Sequence, residues 1–104
     1  MKSGSASPDI LRAVRQIGQE LRVARRRRRL TQQQVAERAG LSRETVLKAE
    51  AGHPGLALSA FLEILAVFDP DMMRSVVQGV EDDPIGKALE RQRLPARVVS
   101  RDDF

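Results

Sequence analysis

The chain has 104 residues, a net charge of +4 and no cysteine. This limits it to one small domain with tails and excludes disulfides, thiolate metal sites and a cysteine nucleophile. No apolar run approaches the roughly 20 residues that cross a bilayer, and the start of the sequence lacks the apolar stretch of a signal peptide. We therefore expect a protein of a reducing cytoplasm.

Positive charge is concentrated in the first half of the sequence. Residues 1–50 hold 12 Lys and Arg against 5 Asp and Glu, whereas residues 51–104 hold 6 against 9, and five arginines are consecutive from Arg25 to Arg29. Such a run suits binding to a polyanion. The alternative is a solvated helix end whose cations complement the helix macrodipole. We favour the polyanion, because a helix end gains little from five adjacent cations that repel one another.

The first predicted helix follows a leader, residues 1–8, that we expect to be disordered. Ser7 is a suitable N-cap, and Pro8 suits the first helical position. Apolar side chains then recur at spacings of three and four, which predicts a helix with one buried stripe that ends near Leu30. The stripe comprises Ile10, Val14, Ile17, Leu21 and Ala24.

Two short helices are predicted next. Helix two, residues 32–39, begins with a Thr-x-x-Gln capping box at Thr31, and Gly40 suits the positive φ at its end. Ser42 is the predicted N-cap of helix three, which runs to about Ala51.

The second half of the sequence predicts further helices. Residues 58–68 form a densely apolar fourth helix that we expect to be the main core element, and an amphipathic fifth helix follows Pro70 as far as Val80. Residues 81–84 indicate a break. Residues 85–93 are predicted to form one or two helical turns, and residues 94–104 to be extended or disordered.

The segment Leu30 to Gly52, LTQQQVAERAGLSRETVLKAEAG, describes two short helices joined by a glycine turn, with small Ala36 where the helices cross. It resembles the Cro/C1-type (XRE family) helix-turn-helix regulators, in which Leu-Thr-Gln, the Ala-x-x-x-Gly pair, Ser-Arg-x-Thr-Val and the Glu-x-Gly ending recur. The resemblance covers roughly residues 14–69. It implies an all-α, five-helix, lambda-repressor-like DNA-binding domain, which we place at residues 9–80, with a C-terminal extension at residues 81–104.

The resemblance implies that helix three lies in the major groove. Arg43 suits guanine, Glu44 suits the cytosine amino group, and Leu47 suits a thymine methyl group; Lys48 suits guanine or a phosphate. These four are the predicted base-reading residues. For Glu44 an intrahelical pair with Lys48 is an equal alternative.

The resemblance also assigns phosphate contacts and one ion pair. Gln32 and Thr45 match phosphate-contacting positions of the family, and Ser42 caps a helix start whose N–H groups can face a phosphate. Arg25 matches an arginine that pairs with the glutamate at Glu50. We therefore assign Arg25 to the structure and expect attraction to the DNA backbone from the arginines that follow it, Arg26, Arg27, Arg28 and Arg29.

Other classes of function are disfavoured. The sequence has no glycine-rich phosphate loop, no nucleophile–histidine–acid set and no recognisable carboxylate pair, so we expect no enzyme, no cofactor and no metal. His53 is expected to be a loop residue, with a weak phosphate contact as the alternative. RNA binding is disfavoured because the only aromatic residues are three phenylalanines, and RNA modules stack bases on aromatic side chains.

These observations predict a nucleoid-associated dimeric repressor whose reading helices lie about 34 Å apart on a near-palindromic operator. Met72 and Met73 are expected to lie in the core or at the dimer surface. The extension after Asp83 resembles that of HipB-like antitoxins, which implies an alternative: an antitoxin that represses its own operon and binds a HipA-type kinase toxin. The second alternative is an adaptor that contacts only proteins.

Overall fold

The computed structural model describes residues 6–93, and every regular element in this range is a helix. The predicted all-α fold is confirmed: five helices form the lambda-repressor-like domain, and a sixth follows. The leader's first five residues and the predicted tail, residues 94–104, lie outside the described residues. The helices are α1 (Pro8–Arg27), α2 (Gln32–Ala39), α3 (Arg43–Glu50), α4 (Leu58–Phe68), α5 (Pro70–Asp82) and α6 (Pro84–Arg93).

Helix α1 begins at the predicted residue, but fewer residues of its apolar stripe are buried than the sequence predicts. The Ser7 hydroxyl accepts the N–H of Ile10 at 3.4 Å. Leu21 and Ala24 are buried, whereas Ile10 and Ile17 are 55% and 44% exposed. The predicted stripe is therefore wrong at Ile10 and Ile17, whereas Val14 is half-buried, because the fully buried residues of α1 begin only at Gly18.

The caps of α2 and α3 are those that the sequence predicts. Thr31 and the Gln34 side chain form the reciprocal capping box, and Gly40 ends α2 at φ 68°. The Ser42 hydroxyl accepts the N–H of Thr45 at 3.1 Å and caps α3. These caps fix both ends of the turn between the two helices.

The core lies where α1, α2, α3 and α4 meet. Its most deeply buried large side chains come one each from α2, α3 and α4: Val35, Val46 and Ile64. The fourth helix is a main core element, as its apolar sequence predicts. Around these three residues the buried cluster is completed by Leu21, Ala24, Ala36, Ala49, Leu65 and Phe68.

The last two helices are longer than predicted. Helix α5 continues to Asp82, and α6 has 10 residues, about three turns rather than one or two. The predicted break narrows to Asp83, whose carboxylate accepts the N–H of Gly86 at 3.0 Å and thereby restarts the helix. Met73 and Val76 pack against the core, but no residue of α5 or α6 is fully buried.

Candidate nucleic-acid interface

Helix α3 has one buried face and one exposed face. Val46 and Ala49 are 1% and 4% exposed, which fixes the rotation of the helix against the core. The opposite face presents the four predicted base-reading residues to solvent, namely Arg43, Glu44, Leu47 and Lys48. Among the described residues, Glu44 forms no ion pair with Lys48, so its carboxylate is available to another donor.

A brace of three side chains connects α1, α2 and α3. Arg25 donates to Glu50 through Nε at 2.6 Å and Nη2 at 3.0 Å, and Gln32 Nε2 donates to the same carboxylate at 3.2 Å. Arg25 Nη1 also donates to the carbonyl of Leu30 at 2.8 Å. The hydrogen bonds to Glu50 raise the pKa of the Arg25 guanidinium above its usual value, although burial opposes this shift. The ion pair expected from the resemblance is therefore present, and Gln32 joins it.

A shallow concavity of about 550 Å³ lies between the starts of α2 and α3. Gln32 and Gln33 line it from α2, and Arg43 lines it from α3. Two residues predicted for different roles, Gln32 for a phosphate and Arg43 for a base, thus border one surface. The Ser42 and Thr45 hydroxyls lie 2.9 Å apart in the cap of α3.

One arginine of the run Arg25–Arg29, Arg28, is held by contacts with the end of α4. Arg28 Nη1 donates to the carbonyl of Ala24 at 3.0 Å, and Arg28 Nε donates to that of Phe68 at 3.3 Å. Its guanidinium carbon lies 5.2 Å from the centroid of the Phe68 ring, within the range of a cation–π contact. Arg28 therefore joins the end of α1 to the end of α4, a role that the sequence does not indicate.

The backbones of α1 and the end of α3 are in direct contact. A Cβ atom on Gly18 would lie 2.7 Å from the carbonyl oxygens of both Ala49 and Glu50. One on Gly52 would lie 2.6 Å from Cα of Arg15. Gly18 is assigned no role from the sequence, although a glycine inside an amphipathic helix is a usable signal of a packing or functional constraint.

The single histidine, His53, lies in the loop after α3 and hydrogen-bonds within it. His53 is exposed, and its Nδ1 accepts the N–H of Gly55 at 3.0 Å, which shapes the turn. Within residues 6–93, no three His, Asp or Glu side chains are grouped as metal ligands would be. Over the same range, none of the helices combines the length and the apolar character needed to span a membrane.

A family model described as a helix-turn-helix domain matches residues 16–75, more than half of the chain. The match includes all of α2, α3 and α4, and therefore the exposed face of α3 and the brace behind it. No curated protein and no solved structure matches the chain. The chain belongs to the family of helix-turn-helix domains.

Proposed function

We propose that this protein is a sequence-specific DNA-binding regulator, a dimeric repressor that reads the major groove with α3. The observation that carries the proposal is the division of α3 into a face locked in the core and a face that exposes Arg43, Glu44, Leu47 and Lys48. A recognition helix needs this arrangement because base edges are read by side chains held in fixed register. Each good bidentate pair contributes about 1–3 kcal/mol of discrimination.

The DNA backbone is bound by the residues around the reading helix. Gln32 borders the concavity beside α3, and Ser42 and Thr45 lie in the α3 cap. Backbone contacts of this kind set register without reading sequence. We assign the general electrostatic attraction to the DNA backbone to the exposed arginines Arg26, Arg27 and Arg29. Arg28 is not included, because it contacts Phe68 at the end of α4.

A second copy of the chain is the proposed partner of α5 and α6. Val77 and Val80 on α5 are 52% and 78% exposed, and Ile85 and Leu89 on α6 are 74% and 52% exposed. A helix as short as α6 is marginal in water without a packing partner. Two copies joined through these helices form a two-fold dimer that matches a near-palindromic site, with reading helices about 34 Å apart.

The experiment that tests this function is selection of DNA by the full-length protein. Duplexes of about 30 base pairs with a randomised centre are long enough for two half-sites one helical turn apart. We expect enrichment of a near-palindromic consensus whose binding weakens steeply with salt. Failure to enrich any sequence would contradict the proposal and favour an adaptor that contacts only proteins.

The exposed apolar residues of α6 also favour the second candidate, an antitoxin of a two-gene module. Ile85 and Leu89 would then contact a HipA-like kinase as well as, or instead of, a second copy. The tagged protein is recovered from its native cells at moderate salt, and the bound DNA and proteins are identified together. Recovery of its own promoter together with a kinase-like protein would support the antitoxin, whereas recovery of the promoter alone would support a stand-alone repressor.

A further inference from the structure

Helices α1, α2 and α3 end in the same type of turn, but α1 does so without glycine. In each turn an N–H bonds to the carbonyl five residues earlier, and the residue before that N–H is left-handed. Gly40 and Gly52 hold this position after α2 and α3, at φ 68° and 73°, whereas Arg29 holds it after α1, at φ 55°. The bonds run from Leu30 to Arg25 at 3.2 Å, from Leu41 to Ala36 at 2.9 Å and from His53 to Lys48 at 3.0 Å.

The fold does not require the Arg29 side chain. A residue with a Cβ atom is strained in the left-handed region, whereas glycine closes the same turn without that strain. Arg29 is exposed, and among residues 6–93 its guanidinium takes part in no hydrogen bond or ion pair. The last turn of α1 already contains three arginines, so the helix macrodipole is complemented without it.

The position of Arg29 suggests what the side chain does. It directly precedes Leu30, Thr31 and Gln32, which line the concavity that Arg43 also borders. We propose that the Arg29 guanidinium binds a backbone phosphate of the DNA at the edge of this concavity, so that the strained arginine serves binding rather than the fold. This inference rests on the proposed function and makes Arg29 a positioning residue that sets the register of α3 without reading a base.

The test separates stability from binding, because the two properties should change in opposite directions. Arg29→Gly removes both the strain and the charge. We expect Tm to rise by about 4–8 °C, the shift that about 1 kcal/mol produces in a domain of this size. We expect affinity for the selected duplex to fall about tenfold per half-site, and the slope of log Kd against log salt to decrease by about one per half-site, or about two for the dimer.

Three control variants identify the cause. Arg29→Gln removes the charge but keeps the strain, so binding should weaken as in Arg29→Gly while Tm does not rise. Arg29→Lys keeps both and should retain most of the affinity. Arg12→Gln removes an equal charge about 25 Å away along α1. It should reduce the salt slope less than Arg29→Gly or Arg29→Gln does.

Two results would overturn the inference. Unchanged affinity and salt slope in Arg29→Gly would show that no phosphate is bound there, and a fall in its Tm would show that the arginine serves the fold. Failure of the proposed function is distinguishable from both, because the unmodified protein would then select no duplex at all.

Discussion

Arg43 is the first residue of α3 and lies at the exposed edge of the concavity. Within residues 6–93 its guanidinium forms no ion pair, and under the proposed function it pairs bidentately with a guanine. We expect Arg43→Ala to abolish preference at one base pair of each half-site, at about 1–3 kcal/mol per half-site, with little change on random DNA. Competition between the selected duplex and single-base variants measures this loss. Equal losses on selected and random duplexes would contradict a base-reading role.

Arg27→Ala is the matched change at a backbone-contacting position. Arg27 is exposed in the last turn of α1, outside the reading face. We expect it to weaken binding to selected and random duplexes alike and to reduce the salt slope by about one per protomer, or about two for the dimer. A loss confined to the selected duplex would mean that Arg27 reads sequence.

The sequence predicts which residues lie on the face of α3 better than it predicts the roles of the arginines. The spacing of Val46 and Ala49 determines which side of α3 is buried, so the opposite side follows from helix geometry. Five identical neighbours carry no such signal. Arg28 turns towards Phe68 of a helix forty residues later, and Arg29 takes a left-handed conformation. The first contact is tertiary, and the second is usually signalled by glycine.

Between elements, the backbones of α1 and the end of α3 approach closely at Gly18. We expect Gly18→Ala to destabilise the protein by about 2–3 kcal/mol, because the new methyl group would overlap two backbone carbonyls that cannot move aside. It should also weaken DNA binding by tilting α3. Urea unfolding followed by circular dichroism measures the stability.

Gly79→Ala is the control for this effect. Gly79 lies within α5, and a Cβ atom there would meet nothing within 4 Å. We expect a gain of about 0.5–1 kcal/mol, because alanine favours the helix and restricts the unfolded chain. If Gly18→Ala were equally well tolerated, the α1–α3 contact would not be tight.

A separate prediction concerns the brace, in which the Glu50 carboxylate accepts hydrogen bonds from Arg25 of α1 and Gln32 of α2. In Glu50→Ala the Arg25 side chain, only 11% exposed, keeps the Leu30 carbonyl as its acceptor. We expect a loss of about 2–3 kcal/mol in the free energy of unfolding. The double variant Arg25→Met with Glu50→Ala should recover part of this loss because it removes the unpaired charge. A double variant as unstable as the sum of the single changes would show that the pair is not coupled.

Helix boundaries were predictable where a side chain caps them. Ser7, Thr31 and Ser42 each signal a start that the structure contains. The length of the buried stripe on α1 was not predictable, because periodicity identifies a face but not the length over which other helices cover it. The approach of α1 to α3 is only partly predictable: Gly18 signals that another backbone comes close, but which element does so depends on how the two helices cross.

At the scale of the molecule, charge and exposed apolar surface are distributed unequally between the two halves of the sequence. The basic half of the sequence contains α1, α2 and α3, and the acidic half contains α4, α5 and α6. Within that half the acidic charge lies mainly in residues 58–83, which hold one Arg against six Asp and Glu, whereas α6 holds three Lys and Arg against one Glu. The exposed apolar residues of α5 therefore lie on a segment that DNA repels, and a protein partner there leaves α3 open to the duplex.

The dimer prediction rests on the exposed apolar side chains of α6. The double variant Ile85→Ser with Leu89→Ser removes two exposed apolar side chains of α6, and we expect it to sediment as a monomer. Its affinity for the palindromic duplex should fall about tenfold or more, towards that for one half-site, while its preference for bases within a half-site is unchanged because α3 is intact. Leu58→Ser is the matched control: Leu58 is 68% exposed on α4, outside α5 and α6, and this variant should remain dimeric. A double variant that still sediments as a dimer would place the interface elsewhere and leave α6 to a different protein.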